Sequence, residues 1–261
     1  MSRSGRGKRE RRRLTGACAW VVLCVVLAKQ ADAVPPLVTG DVPTAEKNHW
    51  EIYVGTQYQK NDSTEWEAPF TEIVYGITDR QELTFEIPYL VEENSHGFGD
   101  SVVGTKFVFV RETNNVPGIA GSFELKLPTG DESKGLGTGE LDYDIRLRAQ
   151  KTFGWFTGIA NVGYTFVGEP EINGVRQNRN NVWLVAFAQE YEINSKTSLL
   201  SEIYWETSDE PGQPNRFAGD IGFKYQLLPH LQVHATAGKS LRSANRGGPA
   251  ARVYGGIKLE F

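Results

Sequence analysis

Glu124 and Lys126 lie two positions apart, and Asp142, Asp144, Arg146 and Arg148 repeat that spacing further on. On an extended chain alternate residues share a face, so each set forms a row. Two such rows on neighbouring strands set carboxylates beside ammonium and guanidinium groups. Opposite charges on facing strands pair, and a lining of both signs along a narrow aqueous path sorts solutes by charge. The same pairs would equally fill and brace an interior, because inward charges must be paired or hydrated wherever they occur. Glu190, Glu202 and Glu206 add acids in two later segments. The candidate pore-lining residues are therefore Glu124, Lys126, Asp142, Asp144, Arg146, Arg148, Glu190 and Glu202.

Other chemistries find less support. The Gly-rich stretch 128–139 contains Gly130 and Lys134 but lacks the Gly-Lys-Ser/Thr step of a phosphate loop, and no helical pattern follows it. A long loop at the mouth of a pore, or folded into it, suits it better. His49, His96, His230 and His234 are the only histidines. No serine sits in a Gly-x-Ser-x-Gly setting, and no His, Cys or carboxylate cluster has metal-ligand spacing. The expectation is a protein without catalytic residues, metal or cofactor.

The elements that carry these rows alternate with a period of two. The closing stretch is the clearest: Ala251, Val253, Gly255, Ile257, Leu259 and Phe261 fall on one face, and Arg252, Tyr254, Gly256, Lys258 and Glu260 on the other. The first strand sets Trp50, Ile52, Val54 and Tyr58 against Glu51, Tyr53, Gly55 and Gln57. The second has Thr71, Ile73, Tyr75 and Ile77 on its apolar face, and the third Leu83, Phe85, Ile87 and Tyr89. Val103, Phe107 and Phe109 face out in the fourth, with Gly104 and Lys106 inward. Ile119, Phe123, Leu125 and Leu127 oppose Ser122, Glu124 and Lys126 in the fifth. The sixth opposes Leu141, Tyr143, Ile145 and Leu147 to its four charges. Six more follow, with Asn161, Ala186, Ala188, Glu190, Glu202, Tyr204, Asp220, Lys224 and His234 among their inward residues.

The count is twelve strands, joined alternately by long polar loops and short turns. Even parity, this loop asymmetry and aromatic residues near strand ends describe an all-β, transmembrane, antiparallel up-and-down β-barrel of about 12 strands in a bacterial outer membrane. An open sheet of this size would leave unpaired backbone edges in lipid. A soluble periplasmic sheet remains the alternative, since its strands would also alternate.

Residues 1–33 read as an export signal: a basic head, a short apolar run from Ala17 to Ala28, and the small-x-small site Ala31-Asp-Ala33. Residues 34–46 are a Pro-containing lead-in without periodicity, expected as a short periplasmic segment or a partial plug, and 47–261 form the barrel. The segment 1–33 holds eight of the 28 basic and two of the 32 acidic residues, so the remainder carries a net charge of −10. Such a chain is a poor nucleic-acid binder. Both cysteines, Cys18 and Cys24, fall in the signal, which leaves no disulfide or thiol chemistry beyond it.

Several short motifs carry a resemblance. Tyr75-Gly-Ile-Thr-Asp-Arg80, Leu83 to Tyr89 ending Ile-Pro-Tyr, and Gly97-Phe-Gly-Asp100 are followed by Leu127-Pro-Thr-Gly-Asp131, Gly137-Thr-Gly-Glu140 and Asp142. Asn161-Val-Gly-Tyr164 and the closing Gly255-Gly-Ile-Lys-Leu-Glu-Phe261 continue the pattern. Together they resemble the outer-membrane transporter family named for the meta-cleavage pathway of phenol degradation (the MetA-pathway phenol degradation family), over nearly the whole chain after residue 33. That resemblance implies a barrel that passes small molecules, aromatic ones among the candidates, and it transfers no binding residue. A terminal Phe261 on an apolar face also resembles the signal read by the bacterial barrel-assembly machinery. The expected partners are thus outer-membrane lipid, that machinery and a small-molecule solute, with no nucleic acid. The expected function is passive or facilitated diffusion. The alternatives are a structural or adhesion barrel with a closed lumen and, behind that, an outer-membrane hydrolase.

Overall fold

The computed structural model describes residues 36–60, 64–92, 95–172, 175–242 and 251–261. The export signal read at 1–33 lies outside these residues, as do positions 61–63, 93–94, 173–174 and 243–250 of the expected loops. Twelve antiparallel strands form the wall: β1 (Trp50–Lys60), β2 (Thr64–Thr78), β3 (Gln81–Val91), β4 (Ser101–Val110), β5 (Gly118–Leu127), β6 (Asp142–Phe153), β7 (Phe156–Phe166), β8 (Val182–Asn194), β9 (Thr197–Glu206), β10 (Arg216–Leu228), β11 (Leu231–Ser240) and β12 (Ala251–Glu260). Each pairs with the next, and β12 pairs with β1 from Glu51↔Glu260 to Lys60↔Ala251, which closes the barrel. Closure leaves no edge strand with unpaired backbone groups, the condition for a sheet to sit in lipid.

The alternation read from the sequence is the inside–outside pattern of the wall. Asp142, Asp144, Arg146 and Arg148 are buried, while Tyr143, Ile145 and Leu147 between them are exposed. The same holds for buried Leu184, Ala186 and Ala188 against exposed Trp183, Val185 and Phe187. Exposed Phe85, Phe107, Phe123, Ile203, Ile221 and Leu227 extend this apolar exterior around the barrel. An apolar surface that continuous is insoluble in water and is the lipid face of a membrane barrel. Aromatic pairs mark its two rims. Trp50–Tyr75 and Trp155–Tyr191 lie at the end with the short turns, and Tyr58–Trp66 and Tyr164–Trp183 at the end with the long loops.

Two details depart from the sequence reading. Strand β2 begins at Thr64, well before the alternation that starts at Thr71. Its register against β3 shifts between Glu67 and Phe70, where Pro69 has no N–H to offer the ladder. That break hides the first half of the strand from a period of two. The loop read at 169–181 also contains a small hairpin, Glu171–Ile172 against Val175–Arg176.

The sequence leaves the lead-in open between a periplasmic segment and a partial plug. Residues 36–46 run across the lumen of the barrel. Leu37, Val38, Val42 and Ala45 are buried, and each belongs to a different apolar cluster with wall residues. Leu37 packs with Ile159, Ala188 and Leu200. Val38 packs with Leu184, Ala186, Tyr204 and Ala218. Val42 meets Val108 and Ala120, and Ala45 meets Tyr53, Phe70, Val74 and Tyr254. Burying a Leu or Val side chain contributes about 1.5–3 kcal/mol, so this short aperiodic segment is a substantial part of the interior.

Candidate functional site

The segment crosses from one wall to the other through a chain of hydrogen bonds, most of them to side chains. Thr236 on β11 donates to the Pro36 carbonyl at 3.0 Å. Glu202 on β9 accepts from the Val38 and Thr39 backbone N–H groups, each at 2.9 Å, and from the Thr39 hydroxyl at 2.7 Å. Asn161 on β7 accepts from Gly40 N and donates to Gly40 O, both at 2.8 Å. Gln150 accepts from Val42 N, and Glu82 on β3 from Ala45 N. An aperiodic segment has no ladder of its own, so wall side chains satisfy its buried backbone groups. Gly40 suits this path because a Cβ there would stand 2.5 Å from Arg148 Nη1. Where the segment turns down into β1 it meets Gly76, at which a Cβ would stand 2.0 Å from the Glu46 carbonyl oxygen.

Charged side chains organise the rest of the lumen. On the β3–β6 wall, Lys106 Nζ lies 3.0 Å from Glu82 Oε1 and 3.3 Å from Asp41 Oδ1 of the crossing segment. Lys126 Nζ lies 2.6 Å from Asp142 Oδ2 and 3.6 Å from Asp100 Oδ2. Asp144 accepts from Arg146 Nε at 2.7 Å and from the Thr165 hydroxyl at 2.6 Å. Arg148 Nη2 reaches Glu124 Oε1 at 3.5 Å and donates to Ser122 Oγ at 3.1 Å. On the opposite wall Arg252 joins Asp220 at 2.7 Å, Gln57 at 2.9 Å and Glu202 at 3.8 Å. Glu190 pairs with Lys224 at 3.1 Å. Burial raises the Asp41 carboxyl, but Lys106, Lys224 and Arg148 act against it and hold it below the usual carboxylate value.

All eight sequence candidates point inward, and each has a charged partner. The pairing is not the simple ladder that the rows suggest. Lys126 and Asp142 are direct cross-strand partners, but Glu124 stands opposite Asp144, and Arg148 opposite Ala120. The like-charged pair is relieved sideways: Asp144 by Arg146 on its own strand and Glu124 by Arg148 on a diagonal. Glu202 ends on the crossing segment and Arg252, away from the other candidates. The candidate set leaves out Arg252, Asp220, Glu82, Lys106 and Asn161, although the alternation reads Lys106, Asn161 and Asp220 as inward. One sequence signal points toward the segment they hold. Leu184, Ala186, Ala188 and Leu200 are apolar at inward positions, and an apolar patch facing a polar lumen needs something to cover it.

The Gly-rich loop is anchored at the mouth. Asp100 accepts from Gly130 N at 2.9 Å and from Thr138 N at 3.0 Å, while Lys126 donates to the Thr138 hydroxyl at 2.8 Å. A 3₁₀ turn, Glu132–Lys134, sits within it, with Asp131 capping the turn through Ser133 N.

Comparison with known proteins agrees with this geometry. The family model described as "Putative MetA-pathway of phenol degradation" matches residues 34–254. Among solved structures, the chain is similar to the COG4313 outer membrane channel from Pseudomonas putida F1, with a TM-score of 0.70 at 15% identity over 87% of this chain and 100% of that one. It is also similar to the NanC porin, with a TM-score of 0.59 at 9% identity over 80% and 98% of the two chains. The KdgM porin in complex with disordered oligogalacturonate gives a TM-score of 0.56 at 12% identity over 80% and 99%. At these identities the likeness is one of fold. No curated protein matches the sequence.

Proposed function

The chain belongs to the family whose model describes it as "Putative MetA-pathway of phenol degradation", and from that membership we propose that it is an outer-membrane channel for passive diffusion of small molecules. The observation that carries this reading is a closed barrel with an apolar exterior and a charged lumen, narrowed by a segment of its own chain. Residues 36–46 set the width of the path, and the lining charges set its preference. Among the described strand residues eight buried carboxylates accompany five buried lysines and arginines, which favours cations and neutral solutes over anions. Tyr53, Phe70 and Tyr254 are buried with Ala45, so they would meet an aromatic solute only where the segment moves aside, consistent with the phenolic chemistry in the family description. The reading treats the barrel as a path rather than an enzyme; His234 Nε2 meets the Tyr254 hydroxyl at 3.3 Å. It also takes residues 1–33 as a cleaved export signal and the strand ending at Phe261 as the part that the barrel-assembly machinery recognises.

A second reading, a structural barrel that conducts nothing, draws on the same segment, since it occupies the lumen with its apolar side chains buried. Planar-bilayer recording separates the two. The refolded protein is compared with a variant lacking residues 36–46, after a heat-modifiability gel has confirmed that each has folded. The channel reading expects small or intermittent conductance in the first and large steady conductance in the second. A folded, shortened barrel that stays silent would overturn it in favour of the structural reading.

A further inference from the structure

The structure holds a charged chamber that the channel reading leaves unused. We propose that the chamber between Glu72 and Glu86 binds a water-sized monovalent cation, ammonium or an ion of potassium's kind. It is lined by Glu72, Glu82, Glu86, Glu124, Lys106 and Arg148 among others, with a volume of about 20 Å³. That is room for one occupant the size of a water molecule.

Neither cation on the chamber wall is paired with Glu72. Lys106 is committed to Glu82 and Asp41, and Arg148 to Glu124. Glu72 is 6% exposed, makes no ion pair among the described residues, and its Oε2 has no hydrogen-bond partner there. Its direct cross-strand neighbour on β3 is another acid, Glu86. Like charges directly opposite each other on a sheet are destabilising, and a buried carboxylate without a partner is strongly so. A counter-ion removes both costs. Arg148 Nε also has no protein partner, so a water that accepts from it belongs beside the ion. The alternative is a proton on Glu72 in place of the cation.

The site does not require the lumen to conduct, so its test uses binding. The thermal unfolding midpoint of the refolded protein is followed in ammonium chloride and, at equal ionic strength, in tetramethylammonium chloride, whose ion is too large for the chamber. The proposal expects a saturable rise with ammonium, none with tetramethylammonium, and loss of the ammonium response in Glu72→Gln. Equal responses to both salts, or an undiminished ammonium response in Glu72→Gln, overturn it. So does a Glu72→Gln variant that melts higher than the parent when the parent shows no ammonium dependence, because the carboxyl is then held neutral by a proton. Should Glu72→Gln fail to fold, rubidium chloride soaked into crystals of the parent decides the matter. An anomalous peak between Glu72 and Glu86 supports the site, and its absence at high rubidium overturns it.

Discussion

Asn161 and Gly40 hold each other by two hydrogen bonds of opposite sense: Gly40 N donates to Asn161 Oδ1 and Asn161 Nδ2 donates to Gly40 O, both at 2.8 Å. A side-chain amide here does what a neighbouring strand does elsewhere in the barrel, presenting one acceptor and one donor to a peptide unit. Asn161 is 1% exposed, so neither bond has water in competition. The pair fastens the crossing segment near its middle, between the Glu202 anchor and the Glu82 anchor.

Asn161→Ala should therefore loosen the segment. Leaving a buried backbone N–H and carbonyl unpaired costs about 1–3 kcal/mol each. The expected outcome is a longer open time and higher mean conductance in bilayers, with the strands of the barrel intact by circular dichroism. Open times equal to those of the parent would show that Asn161 is not a fastening point.

Gly40→Val tests the same crossing by crowding rather than by loss. Its side chain would enter the space of the Arg148 guanidinium, whose Nη1 lies 2.5 Å from the position of a Cβ. Either the segment or Arg148 must move, and Arg148 is held by Glu124 and Ser122. The variant should resemble the Asn161→Ala channel in conductance, and its segment should become accessible to protease from outside. Protection equal to the parent's would count against a tight passage at this point.

Replacing Arg146 and Arg148 together by Ala should shift the reversal potential toward cations, because Asp144 and Glu124 lose their paired charges. Breaking a buried pair by removing one partner costs about 3–5 kcal/mol, so a lower melting temperature should accompany the shift. A conducting double variant with unchanged reversal potential would remove these two side chains from the path.

Asp41 gives the segment a dependence on pH. Its carboxyl is held below its ordinary value of 3.8, so its ionised form favours the docked segment. That contribution is fully present above the ordinary value and is lost as pH falls through the lowered one. Compared with Asp41→Asn, the parent should be the more tightly closed channel at neutral pH, and the difference should shrink only in strong acid. A difference that stays constant across the series would mean that the Asp41 charge does not help to hold the segment.

Asp100→Ala should free the Gly-rich loop. It removes the acceptor for Gly130 N and Thr138 N and one acid beside Lys126. Limited proteolysis within 128–139 should speed up while the barrel stays folded. Unchanged cleavage would show that Lys126 and its bond to Thr138 suffice.

How much of this was legible before folding follows from the range of each interaction. The face each inward residue takes is a local property: side chains on a strand alternate, so Asp142, Asp144, Arg146 and Arg148 had to share one side once the stretch was extended. Strand number, inward and outward faces, the short turns and the lipid-facing apolar set follow from the sequence on that ground alone. The start of β2 escaped because Pro69 breaks the local period. The partners of the inward charges escaped for a different reason. Strand tilt and curvature in a closed barrel bring residues far apart in sequence across the lumen, and that places Arg252 against Asp220 and Glu202, and Arg148 against Glu124 instead of its direct neighbour. Least legible was the segment 36–46, which has no period because it belongs to no sheet. Its position was decided only by the closed barrel, whose apolar inward patch at Leu184, Ala186 and Ala188 and whose polar anchors at Glu202, Asn161 and Glu82 come together when β12 meets β1.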